Sequence, residues 1–85
     1  MNELDRLREK IDGIDQKLAG LLSERLALSK EIGAYKKTRG LEILQSSREA
    51  EVKENVKNSI PESVYAPYIL EIYETILKTS KKAQD

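Results

Sequence analysis

From Leu4 to Tyr35, positions spaced alternately three and four apart read Leu4, Leu7, Ile11, Ile14, Leu18, Leu21, Arg25, Leu28, Ile32 and Tyr35. All but Arg25 are apolar or aromatic, a period that describes one face of a very long amphipathic helix. The pattern predicts a helix from about Asn2 to Lys37, stopped at Thr38-Arg39-Gly40 by the glycine. Gly13, Gly20 and Gly33 each cost such a helix roughly 1 kcal/mol relative to alanine, which the seam has to outweigh. A short loop over residues 41–45 follows. Ser46 and Glu49 are spaced as a capping box opening a second helix, which should end near Asn58 because Pro61 follows. A third helix is expected to start around Pro61 to Ser63, to hold Pro67 only in its first turn, and to run to about Gln84. There is no strand alternation and no internal repeat. The expected fold is all-α, three helices in a single domain over residues 1–85.

The length of the first helix implies a partner. About 35 residues at 1.5 Å each span roughly 50 Å. A compact chain of this size has a radius of gyration near ~12 Å, so the helix would protrude with much of its seam wet. Two copies packing their long helices together remove the problem, and a homodimer is expected.

Composition narrows the function. Lysine plus arginine and aspartate plus glutamate balance at fifteen each and are interspersed, so no basic face suited to nucleic acid stands out beyond Lys78, Lys81 and Lys82. No uncharged apolar run is long enough to span a membrane, and the opening residues lack a secretory apolar core. With no cysteine the chain reads as cytoplasmic. The absence of histidine removes the commonest general base and transition-metal ligand. An enzyme built from this chain is expected to work by positioning and electrostatics, with no metal and no cofactor.

The residues that interrupt the apolar stripes carry the candidate chemistry. Arg25 sits on the seam itself, where a desolvated guanidinium needs either an internal carboxylate or an anionic ligand. Arg8 and Lys36 lie on the flanking stripe with Asp15, Leu22 and Ser29. The third helix's apolar row Tyr65, Ile69, Ile72, Tyr73 and Ile76 continues into Ser80 and Gln84. Ser80 could instead bond back to its preceding turn, and Gln84 could be a frayed end. Glu49 shares a face with Val52 and Val56, although capping alone would account for it; Arg48 is ambiguous by pattern. Together Arg25, Lys36, Arg48, Glu49, Ser80 and Gln84 suit a compact ligand with more than one carboxylate plus neutral oxygens. Arg8 stands 28 residues from Lys36, roughly 42 Å along the axis, and could join such a site only from the other subunit.

At these residues the sequence resembles the all-helical chorismate mutases. The match runs through LREKIDGIDQKLAGLLSERLALSKEIGAYK, SREAEV and YILEIYETILKTSKKAQ. Its signature is Arg8 in LRxxID, Arg25 in LLxER, Lys36 three past the glycine, the Arg48-Glu49 pair, and Ser80 and Gln84 four apart. The resemblance implies an intertwined helical homodimer with two sites converting chorismate to prephenate, on the way to phenylalanine and tyrosine. It implies that Arg25 and the partner subunit's Arg8 grip the substrate carboxylates with Arg48 and Ser80 assisting. Lys36 and Gln84 would then bond the ether oxygen, and Glu49 the ring hydroxyl. The family commonly carries an aspartate three residues before the arginine of the pair, plus a proline; this chain reads Gln45-Ser46-Ser47 there. A backbone contact at that position would survive the change, and a carboxylate contact would not.

A Claisen rearrangement needs no nucleophile, proton transfer or cofactor, which agrees with the missing histidine. Catalysis would consist of holding a chair-like conformer and stabilising charge growing on the ether oxygen. Two other readings stand beside it: an isochorismate-pyruvate lyase of the same fold, and a non-catalytic helical dimerisation or regulatory module. A pure dimerisation helix would gain by carrying leucine at position 25.

Overall fold

A computed structural model describes residues 2–42 and 46–85 of the chain. Three helices account for nearly all of them, α1 over Glu3–Thr38, α2 over Ser46–Ser59 and α3 over Ala66–Gln84. No strand occurs among the described residues. The all-α, three-helix expectation therefore holds, with shifts at particular ends.

Helix α1 is capped as its sequence dictates. Asn2 Oδ1 accepts from the Asp5 N–H at 2.8 Å, and Glu3 and Asp5 occupy the positive end of the helix dipole. At the other end, Gly40 takes a φ of 65°. The Leu41 N–H returns to the Lys36 carbonyl at 2.8 Å and the Gly40 N–H to the Lys37 carbonyl at 3.3 Å. This is a Schellman stop, which needs the glycine because a Cβ disfavours positive φ. Lys36 and Lys37 sit in the last turn, where cations suit the dipole.

Helix α2 already includes Ser46, so that serine lies within the described helix rather than capping it. Residues 43–45, Gln45 with them, lie outside the described residues. Helix α3 begins later than expected. The Ser63 N–H bonds the Ile60 carbonyl at 3.1 Å, closing a turn over Pro61 and Glu62. Ser63 then takes the Tyr65 N–H on its hydroxyl at 3.1 Å and the Ala66 N–H on its carbonyl at 3.3 Å. These bonds spend the segment after Pro61 on successive turns, and Pro67 falls in the first turn of α3, as expected.

Helix α3 packs against both α1 and α2. The face that α1 turns to it is not the long apolar seam. Ser29 and Gly33 are buried there, and Leu22, Arg25 and Lys36 are half-buried, at three- and four-residue spacing. Small residues let the helix axes approach. A Cβ built at Gly33 would lie 2.6 Å from the Gln84 Cα, well inside contact distance. The apolar seam residues of α1 remain exposed, from 46% for Leu7 to 62% for Leu21. On α3 the innermost apolar side chain is Leu77, not Ile72, which is 58% exposed. The inward row runs Ile69, Tyr73, Leu77, Ser80 and Gln84, and Tyr65 at its start is exposed too.

The molecule measures 56 × 25 × 16 Å with a radius of gyration of 16.1 Å, against about 12 Å for a compact chain of this length. Leu77, still 8% exposed, is the single large apolar side chain that counts as buried among the described residues. No helix among them is long and apolar enough to cross a membrane.

Candidate functional site

The C-terminal halves of α1 and α3 and the start of α2 enclose an open cleft of about 400 Å³. Leu28 and Ile32 of α1, Val52 of α2 and Leu77 of α3 supply its apolar wall. Six of the seven residues singled out in the sequence line it: Arg25, Lys36, Arg48, Glu49, Ser80 and Gln84. They come from three helices and more than fifty positions of sequence, so only tertiary packing brings them together. Arg8 does not join them; it is exposed in the N-terminal half of α1.

At one end of the cleft, Arg25 Nη1 donates to Ser80 Oγ at 3.1 Å, and the Ser80 and Ser29 hydroxyls are hydrogen bonded to each other. Ser80 therefore does not bond back to its own helix. Its neighbour Thr79 does so, donating to the Thr75 and Ile76 carbonyls at 3.0 Å each. Arg25 is half-buried and bonded to a hydroxyl, which leaves its charge unneutralised by that contact. One turn further along α3, Lys36 Nζ donates to Gln84 Oε1 at 2.8 Å. Gln84 is half-buried and helical, not frayed. With its oxygen taken by Lys36, the carboxamide is left with its N–H donors, so an ammonium and an amide stand side by side on the wall.

The opposite wall is α2. Capping does not account for Glu49: Lys81 Nζ lies 3.2 Å from its Oε2 and both line the cleft. Arg48 is ion-paired with Glu51 one turn on, both largely exposed at the cleft mouth. Beyond Glu49, Lys53 pairs with Glu74 at 2.6 Å. Its ammonium is held above the ordinary lysine pKa, first by that hydrogen bond, against a lowering by desolvation, and with smaller help from the charges of Glu74 and Glu49.

The described lining thus holds four cations (Arg25, Lys36, Arg48 and Lys81) and one carboxylate, Glu49. Such a set takes a small polyanion and presents two donors to a neutral oxygen at the Lys36–Gln84 end. The chain has no histidine or cysteine to act as base or nucleophile in it.

Three contributors escaped the sequence reading. Ser29 was visible only as a member of the flanking stripe. Lys81 was grouped with a surface basic cluster, although it is three residues before Gln84 and therefore on a neighbouring row. Gly33 stands out in the sequence only as a helix-weakening residue, whereas it is a point where the backbones of α1 and α3 approach too closely for a Cβ.

A family model described as chorismate mutase type II matches residues 7–85. A bifunctional chorismate mutase/prephenate dehydratase from Aquifex aeolicus is 43% identical over 56 residues, 66% of this chain and 16% of that protein. The chain thus spans well under two thirds of that relative's length. A 4-amino-4-deoxychorismate mutase from Streptomyces venezuelae is 26% identical over 85 residues, 99% of this chain and 82% of that protein. A solved structure described as a conserved hypothetical protein from Pyrococcus furiosus aligns with a TM-score of 0.81 at 34% identity, covering 100% of this chain and 99% of that one.

Proposed function

The chain belongs to the chorismate mutase type II family, and from that premise we propose that its cleft rearranges chorismate to prephenate. The substrate presents two carboxylates, an ether oxygen and one hydroxyl, and the lining has a group of matching sense for each. Arg25, supported by Ser80, takes one carboxylate at the buried end, and Arg48 turns inward from its exposed pair with Glu51 to assist with the other. Glu49, the one carboxylate of the described lining, accepts from the hydroxyl. Lys36 and Gln84 donate to the ether oxygen.

Within the single bound molecule one C–O bond breaks as one C–C bond forms, with no proton moved. What the protein contributes is a restricted conformer and fixed donors where negative charge grows. An ammonium and an amide aimed at that oxygen bind it more strongly as it becomes anionic, which lowers the barrier rather than merely tightening the substrate. The observation that carries the reading is the Lys36–Gln84 pair at 2.8 Å, facing the same cleft as Arg25 and Glu49.

A homodimer belongs to the proposal. It is supported by the exposed seam of α1 and by a core too sparse to hold a chain of this size alone. Pairing two such helices buries the seams and lets the partner subunit's Arg8 reach the cleft. The setting proposed is cytoplasmic, and residues 1–85 are proposed to act as one catalytic unit.

Product identification by proton NMR tests the reading. The purified chain is incubated separately with chorismate, isochorismate and 4-amino-4-deoxychorismate. Prephenate from chorismate is expected. Release of pyruvate from isochorismate, with chorismate untouched, would make the protein a lyase. No turnover of any of the three would leave a dimerisation module.

A further inference from the structure

Glu49 does not stand alone in the cleft. Lys81 reaches across from α3 to α2 and places its ammonium 3.2 Å from one carboxylate oxygen, both side chains being only partly exposed. The other oxygen of Glu49 is left for a ligand. In the proposed arrangement Arg25 and Arg48 take the two carboxylates and Lys36 the ether oxygen, so Lys81 is a fourth cation of the lining with no group of the ligand assigned to it.

Its charge has a consequence for what Glu49 can accept. A bare carboxylate would repel a ligand that carries two carboxylates a few ångströms away; Lys81 offsets that repulsion. A neutral hydroxyl donating to Glu49 adds no charge and leaves the ion pair intact. An ammonium group in the hydroxyl's place would have to share one carboxylate with Lys81, two cations about 5 Å apart in a half-wet cleft. The same pair therefore favours one ligand and disfavours the other.

We infer that Lys81 is a specificity-determining residue which, acting through Glu49, selects a substrate with a hydroxyl over one with an amine at that ring position. This rests on the cleft being the chorismate site. Lys81 is a positioning residue in this scheme: it touches Glu49 and not the reacting atoms.

The test compares kcat/KM for chorismate and for the amino-for-hydroxyl analogue in the parent, Lys81→Met and Lys81→Arg. Where the analogue is not turned over, its inhibition constant against chorismate replaces kcat/KM. Lys81→Met should shift the preference toward the amine on the order of tenfold, the size of a like-charge contact at that separation in a partly screened site. Lys81→Arg, which keeps the charge, should restore the parental preference. A merely structural lysine would lower both substrates in proportion and leave their ratio unchanged, and that result would overturn the inference. So would a ratio that moves equally in Lys81→Arg. A parent that turns over chorismate while the ratio stays fixed defeats the role of Lys81 alone. A parent inert toward chorismate defeats the reading of the cleft, and the role of Lys81 with it.

Discussion

Gly33→Ala is the smallest change that should separate fold from activity in this protein. The added Cβ would sit 2.6 Å from the Gln84 Cα and 2.7 Å from its carbonyl carbon, where ordinary contact begins at 3.4 Å. The obstruction is backbone, so no side-chain rotation relieves it. The last turn of α3 must withdraw by about 1 Å, a displacement that in an active site can cost on the order of 100-fold in rate. It takes Gln84 away from Lys36 and both donors out of register with the ether oxygen. Arg25 is eight residues back along α1, roughly 12 Å away, so carboxylate binding should change much less. Alanine strengthens α1 by about 1 kcal/mol, which offsets part of an overpacking penalty of about 1–3 kcal/mol. The fold should survive. Expected, then, is a kcat lower by on the order of 100-fold, a KM within a few-fold of the parent, and a cooperative melt. Gly20→Ala is the control: nothing lies within 4 Å of its added Cβ, so it should melt higher with parental kinetics. Gly33→Ala with parental kcat would show that the close approach of α3 does not set the reacting geometry.

Further expectations follow from the same contacts. Arg25→Leu should keep or raise thermal stability, because the guanidinium is half-buried against a hydroxyl, while removing most activity; an unfolded variant would make the arginine structural. Arg25→Lys should also be poor, since a lysine loses the bidentate grip on a carboxylate. Inactive Arg8→Ala and Lys36→Ala chains, mixed and refolded, should regain turnover through the one site in the heterodimer that carries neither lesion. Verified heterodimers without activity would refute a site shared between subunits. Unfolding should be bimolecular, its midpoint rising with protein concentration, and a compact folded monomer in sedimentation at micromolar concentration would contradict the dimer.

Much of the fold was legible because the seam of α1 keeps its period for nine turns and because Gly40 and Pro67 punctuate helices in the expected way. The start of α3 was not, because Pro61 forbids less than Ser63 commits: a serine that accepts twice holds the segment in turns. Hydrophobic period marked the seam expected to meet a second copy, and left unmarked the face of α1 that packs within the chain. The seam that stands out is left exposed, and the face that packs is marked by Ser29 and Gly33, whose value is smallness rather than greasiness. Arg25, Ser80 and Gln84 were readable as polar interruptions of apolar rows, since burying polarity is costly enough to be noticed; Lys36 and Glu49 were weaker signals beside such rows, and Arg48 was ambiguous by pattern. Lys81 interrupts nothing. Its role depends on a contact between α2 and α3 that no spacing within one helix reveals.

The most direct test of the central claim, that Lys36 and Gln84 stabilise charge on the ether oxygen, is the pH dependence of Gln84→Glu. An ionised carboxylate there offers only lone pairs and would repel the growing charge, whereas a protonated one can donate. Losing one such donor is worth on the order of 100- to 1,000-fold in kcat. Near neutral pH the variant should be slower than the parent by at least that factor. As pH falls through the introduced carboxyl's pKa, near ~4.3 in water and pulled lower beside Lys36, the ratio of variant to parent kcat should climb toward unity. A ratio that stays flat across that range would place Gln84 outside the reacting centre and contradict the account.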